Sequence, residues 1–287
     1  YAPPGKRGLY GSFVQLGVLI GAVTANGVFA VLDRRLAPEA MDSWGWRLPF
    51  LIGPLVLILA WFIHTKIDET PEFRAAEARL RGREHSPLRR VLRDHRGLVL
   101  LAGGSFAVQL AAFYILITGM LDYTTRELGM PRSAVLAVTM MAAAAQLVTI
   151  PVAARLSDRF GRLRVYTVGV VGTLLWAFPL FLLVDTATVL GLAIAQLVGG
   201  AFLSIIYGPQ AALFAELFEP ELRYTGASLG YQVASVFGGA LAPFIMVLLL
   251  ESTGTSLSVS VYIAVLAVVS LVSVSAIARR SAPNRRA

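Results

Sequence analysis

Long apolar runs alternate with short charged joints along the whole chain. Eight runs stand out, approximately Leu9–Leu32, Arg47–Thr65, Leu98–Asp122, Ser133–Ala154, Val165–Val184, Val189–Phe214, Thr225–Leu250 and Ser256–Ala278. A helix needs about 20 apolar residues, at about 1.5 Å each, to cross roughly 30 Å of hydrocarbon. Barrel strands are about half that length and alternate in polarity, which these runs do not. The pattern predicts an all-α integral membrane protein. No stretch reads as a removable signal peptide.

Composition agrees. Of the 287 residues 56% are hydrophobic and 15% charged, with a mean hydropathy of +0.70. A soluble protein is roughly a quarter charged. The absence of cysteine excludes disulfides, thiolate metal sites and cysteine nucleophiles. The apolar content excludes disorder.

A net charge of +8 raises the question of nucleic acid. The placement of the basic residues answers it. If the first helix runs outward from the cytoplasm, the inner joints are residues 1–8, 66–97, 155–164, 215–224 and 279–287. They hold 20 of the 25 basic residues, and the outer joints hold only Arg34, Arg35, Arg47, Arg126 and Arg132. This is a positive-inside code. It places the C-terminus in the cytoplasm, and no nucleic-acid partner is expected. The longest joint carries a stretch, Pro71–Gly82, that reads as an amphipathic helix opened by Thr70 at N-cap and Pro71 at N1.

A short internal repeat adds organisation. Arg7-Gly8-Leu9-Tyr10-Gly11-Ser12 parallels Arg223-Tyr224-Thr225-Gly226-Ala227-Ser228, each followed by a glutamine, Gln15 or Gln232. Internal repeats mark transporter folds. With a unit of six helices, the expected domains are residues 1–66, the last two helices of an N-terminal bundle; 67–97, an inter-bundle loop; 98–280, a complete C-terminal bundle; and 281–287, a tail. Eight helices of an expected twelve would then be present, and the chain is expected to be inactive alone.

The segment Ala154-Arg155-Leu156-Ser157-Asp158-Arg159-Phe160-Gly161-Arg162-Leu163-Arg164 resembles the loop motif of the major facilitator superfamily, a glycine followed by Asp-Arg-x-Gly-Arg and a basic residue. It departs at Ala154 and Leu163. Lys6-Arg7-Gly8, Asp42-Ser43-Trp44-Gly45-Trp46-Arg47-Leu48-Pro49-Phe50 and Asp68-Glu69-Thr70-Pro71-Glu72-Phe73 are similar to the metabolite:proton symporter branch. The stretch Arg223–Ser235 looks most like the shikimate transporters. The resemblance implies a helical bundle of the major-facilitator type in the plasma (inner) membrane, monomeric when full-length. It also implies a secondary transporter taking up a small organic acid with protons. By the same resemblance Asp158, Arg159, Gly161 and Arg162 latch the cytoplasmic side in the outward-open state. A carboxylate is favoured at a helix N-terminus, and Asp158 follows the end of one span and precedes the next.

Polar stripes at helical spacing mark a path. They include Gln196, Gly199, Gly200, Tyr207 and Gln210; Ser228, Gln232, Ser235 and Gly239; Ser12, Gln15, Ala22 and Asn26; and Thr139, Ala142, Gln146 and Thr149. Polar groups facing lipid lack partners, so these faces belong inside the bundle. The small residues read as packing, as in Gly17-x-x-x-Gly21. Gln15, Asn26, Gln109, Tyr114, Tyr207, Gln210 and Gln232 are the candidates for a substrate path, since amides and phenols suit hydroxyls. No ionisable residue lies near the middle of any run, so the sequence supplies no in-membrane proton carrier. Glu216 and Arg223 are the best charged pair at the inner mouth. No catalytic constellation, metal site or cofactor motif is present, which argues against an enzyme. Competing substrates are a dicarboxylate, citrate or a betaine; a membrane-embedded enzyme or an ABC-type permease subunit is the remaining alternative.

Overall fold

The computed structural model describes residues 3, 5–66, 87–219 and 221–281. The amphipathic stretch Pro71–Gly82 and the tail 282–287 lie outside them. The described residues are nearly all helical, and eight of the helices are long and apolar enough to cross a membrane.

In chain order the helices are α1 (Arg7–Arg35), α2 (Pro38–Ser43), a 3-10 turn (Gly45–Ile52) running into α3 (Gly53–Lys66), and α4 (Pro87–Asp94). Next come α5 (Arg96–Tyr114), joined through a π segment (Ile115–Gly119) to α6 (Met120–Arg126), then α7 (Arg132–Phe160), α8 (Arg162–Val184) and α9 (Val189–Leu217). Last are α10 (Arg223–Ala234), joined through a second π segment (Ser235–Ala240) to α11 (Ala242–Thr253), and α12 (Leu257–Ser281).

The spans match the apolar runs but overshoot them. The run Ser133–Ala154 becomes part of a helix that continues to Phe160. Hydropathy ends where the lipid ends, whereas backbone hydrogen bonding continues until the chain breaks. The break is Gly161, at φ +95°.

Two compact units are present. One holds the described residues 16–66. Within it Trp46 meets Phe50 edge-on at 6.0 Å, and Arg47 lies 4.4 Å over the Trp46 ring. No residue of α3 is buried.

The other unit holds the described residues up to 15 and from 87 to 281. In it α9 packs on α7 and α8, while α12 packs on α5 and α8, and α10 packs on α5. Its core includes Phe106, Ile115, Met120, Tyr166, Phe181, Leu192, Ile206 and Met246. Lipid is as apolar as leucine, so close backbone approach, not water exclusion, holds such helices together. Small residues supply it. A Cβ on Gly103 would meet Val233 at 2.8 Å, one on Gly230 would meet Ala102 at 2.8 Å, and one on Gly208 would meet the Ile150 carbonyl at 2.7 Å. Around Gly17 and Gly21, by contrast, an added Cβ would meet nothing within 4 Å.

Candidate functional site at a helix start

The turn between α7 and α8 is one residue long. Gly161 ends one helix and begins the next, donating its N–H to the Ser157 carbonyl at 3.0 Å and accepting from the Val165 N–H at 3.2 Å. Its φ lies in the region that L side chains rarely adopt. This tight reversal leaves Asp158 on the last turn of α7 and Arg162 on the first turn of α8.

Asp158 does cap a helix, though not the adjoining one. Its carboxylate accepts the Gly8 N–H at 2.8 Å and the Leu9 N–H at 3.0 Å. Both amides belong to the first turn of α1, which contains no acidic residue of its own. The first turn of a helix leaves N–H groups without internal partners and carries a partial positive charge. A buried carboxylate from elsewhere in the sequence satisfies both needs. Gly8 makes the approach possible, because a Cβ there would lie 2.8 Å from Asp158 Oδ1 and 2.9 Å from the Ala154 carbonyl.

Arg162 ties the cap to a fourth helix. One guanidinium nitrogen lies 3.7 Å from Asp158, and another pairs with Glu216 near the end of α9. The side chains of Asp158 and Arg162 are 7% and 15% exposed, whereas that of Glu216 is 52% exposed, so the inner pair is the one shielded from water. Glu216, the acid expected at the inner mouth, pairs with Arg162. Arg223 is the first residue of α10. Arg159 is exposed and lies over the Phe160 ring at 5.3 Å. A cavity of about 1040 Å³ adjoins the cluster and is lined by Asp158, Arg162, Glu216 and Ile277, among others.

The path candidates divide. Gln109 and Gln210 are 2% and 1% exposed. Gln109 Oε1 and both polar atoms of the Gln210 amide have no hydrogen-bond partner. Phe106 and Phe214 meet between the antiparallel α5 and α9 with ring centroids 4.0 Å apart and planes tilted by 45°. Gln109 follows Phe106 by three residues and Gln210 precedes Phe214 by four, so both lie to the same side of that contact. Tyr207 is half-buried nearby, with Tyr114 and Tyr231 as electrostatic neighbours. Tyr231 also meets Phe106 edge-on at 5.6 Å. Gln15 is half-buried and Gln232 exposed. The side chain of Asn26 lies outside the described ones. Of the stripe residues, Thr149 donates to Ser204 at 2.8 Å, Ser204 donates to the Gly200 carbonyl, and Gln146 packs on Gly200, so these are packing groups between α7 and α9.

A second cluster, at the opposite end of the unit, is not legible in the sequence. Asp185, at the end of α8, accepts from Tyr123 Oη at 2.7 Å and from Ser256 Oγ at 2.5 Å. It joins three spans. Each partner is an ordinary span-end residue, and no local spacing connects them.

Comparison with known proteins now decides the family. Residues 102–287 match the Major Facilitator Superfamily, and residues 1–97 match the Sugar (and other) transporter family. The chain belongs to the Major Facilitator Superfamily. This major facilitator chain is 36% identical to the inner membrane metabolite transport protein YhjE of Escherichia coli (strain K12), over 94% of its own length and 62% of the relative's. It is 31% identical to the shikimate transporter of the same organism, over 91% and 60%, and 29% identical to the citrate-proton symporter of Klebsiella pneumoniae, over 98% and 63%. It thus spans about three fifths of the length of these relatives. The fold matches a solved structure of the major facilitator proton:xylose symporter XylE bound to 6-bromo-6-deoxy-D-glucose. The TM-score is 0.71 at 17% identity, over 95% of this chain and 64% of that one. The family is one of transporters, not enzymes, and its members cross the membrane many times. The likeness read from the loop motif is the correct one.

Proposed function

We propose that the protein is a secondary active transporter that takes up a small organic acid such as shikimate together with protons, by alternating access. The observation that carries this reading is the pair of buried glutamines. An unsatisfied buried polar group costs roughly 1–3 kcal/mol, and Gln109 and Gln210, like Gln196 elsewhere on α9, present such groups inside the bundle. Amides that bind a hydroxylated ring during part of the cycle account for that cost, with Tyr207, Tyr114 and Tyr231 covering its edges. The shikimate transporter among the relatives supports the same substrate class.

In this reading residues 1–66 are the last two helices of the N-terminal bundle, 67–97 the inter-bundle loop, 98–280 the C-terminal bundle and 281–287 a tail. The basic end faces the cytoplasm, and the C-terminus lies there. Asp158, Gly161 and Arg162 then form the cytoplasmic latch of the outward-open state, with Arg159 beside it. Gln15, Asn26 and Gln232 belong to the path by their register. The working unit is a monomer in the inner membrane.

The test is an uptake screen in cells expressing the gene, with labelled shikimate, 2-oxoglutarate, citrate and proline betaine. Shikimate uptake that collapses with a protonophore is the expected result. Uptake that ignores the protonophore counts against proton coupling. Uptake of citrate alone favours the second reading, a citrate carrier, which rests on the symporter relative.

A further inference from the structure

A second cavity, of about 310 Å³, opens beside the Asp158 cap. Its walls are Gly5, Lys6 and Leu9 from the start of α1 and Arg155, Asp158 and Arg159 from the last turns of α7. Three cations and one carboxylate thus share the walls of this cavity, and that carboxylate is already engaged by two amides and by Arg162. Among the described residues Lys6, Arg155 and Arg159 form no ion pair; Arg159 meets only the Phe160 ring. Like charges four residues apart on a helix, as in Arg155 and Arg159, are destabilising on their own.

A topology code needs basic residues on one side of the membrane, not around one cavity. Convergence of three unmatched cations calls for an anion with several acceptor oxygens, and a phosphate group meets that need. The surroundings select its source. Val148, Val152, Leu156 and Phe160 are all exposed and recur every fourth residue on α7, forming an apolar track that runs from the arginines toward the middle of the span. A soluble phosphate has no use for such a track, whereas an acyl chain does.

We propose that Lys6, Arg155 and Arg159 bind the phosphodiester of an anionic phospholipid whose acyl chains lie along the Val148–Phe160 track. Basic pockets at the ends of membrane helices suit such headgroups. The bound lipid neutralises the cations around the Asp158 cap and so stabilises the junction of α1 with α7.

The test uses the gene's full product purified in detergent, with phosphatidylglycerol mixed micelles as probe. Phosphatidylcholine, glycerophosphoglycerol and inorganic phosphate are the comparisons. Phosphatidylglycerol is expected to raise the thermal midpoint and to survive as an adduct in native mass spectrometry, while the comparisons do neither. R155Q/R159Q is expected to weaken phosphatidylglycerol binding by about tenfold or more. Arg279→Gln, elsewhere on the basic end, is expected to bind as the parent does. If R155Q/R159Q does not fold in phosphatidylcholine, Lys6→Gln serves in its place and is expected to weaken binding severalfold. Equal stabilisation by glycerophosphoglycerol or inorganic phosphate overturns the lipid assignment. Unchanged binding in the substituted protein, or an equal loss in Arg279→Gln, overturns the site.

Discussion

The carboxylate of Asp158 holds the backbone N–H of Gly8, which lies 150 positions earlier in the chain, at 2.8 Å. One side chain on the last turn of α7 thus caps α1 and, through Arg162, reaches α9. Replacing it with alanine removes both hydrogen bonds and the charge that complements the start of α1. Loss of such a cap costs about 0.5–2 kcal/mol. Asp158→Ala is expected to lower the thermal midpoint in detergent more than Asp158→Asn, which keeps an acceptor oxygen. Equal midpoints for the two substitutions would show that a neutral acceptor contributes nothing to the cap once the charge is gone.

Gly8 and Asp158 are expected to behave as one unit. A Cβ at position 8 lies 2.8 Å from the Asp158 carboxylate, so Gly8→Val pushes the helix start off its cap. Contacting residues show coupling of about 0.5–3 kcal/mol in double-mutant cycles. Stabilities of Gly8→Val, Asp158→Ala and the double substitution are expected to be far from additive. Strict additivity sinks the cap.

Gly161 tests backbone strain alone. An added Cβ meets nothing within 4 Å, yet φ is +95°. Gly161→Ala is therefore expected to destabilise by about 1–2 kcal/mol through conformation and not through a clash. Chemical denaturation reads this directly. A neutral effect means that the turn relaxes to a negative φ.

The buried glutamines separate a substrate role from a packing role. Removing an unsatisfied buried amide relieves its desolvation. Gln109→Leu and Gln210→Leu are expected to leave the midpoint unchanged or raised while uptake falls at least tenfold. A lowered midpoint with normal uptake assigns both residues to packing.

The clasp at the opposite end is expected to be structural. Tyr123→Phe deletes one hydrogen bond to Asp185 and keeps the ring against Phe181, whose centroid lies 6.3 Å away. A loss of about 1 kcal/mol in unfolding free energy is expected, with the Km for substrate unchanged. A large change in Km would place the clasp in the transport cycle instead.

The legibility of the site in the sequence follows the range of each interaction. The Gly161 turn could be read because a reversal between helices needs local conformational freedom. The loop arginines could be read because their spacing is local too. The helix that Asp158 caps could not, since sequence proximity points to α8 while the geometry selects α1. The sequence offers Glu216 and Arg223 as charges at the inner mouth, and only the packing of α8 on α9 adds Arg162 as a partner of Glu216. Residue type made Gln109 and Gln210 path candidates, and only packing distinguished their unpartnered amides from the satisfied hydroxyl of Thr149.

The sequence by itself determined the eight spans and the segregation of 20 basic residues into alternate joints. Both depend on quantities that add up locally, apolar length against bilayer thickness and charge on each joint. The tertiary structure decided which helix start receives Asp158, which acid Arg162 pairs with, and that Tyr123, Asp185 and Ser256 meet. Those choices depend on side chains from distant segments arriving within about 3 Å of one another, a condition that the packing of whole helices sets.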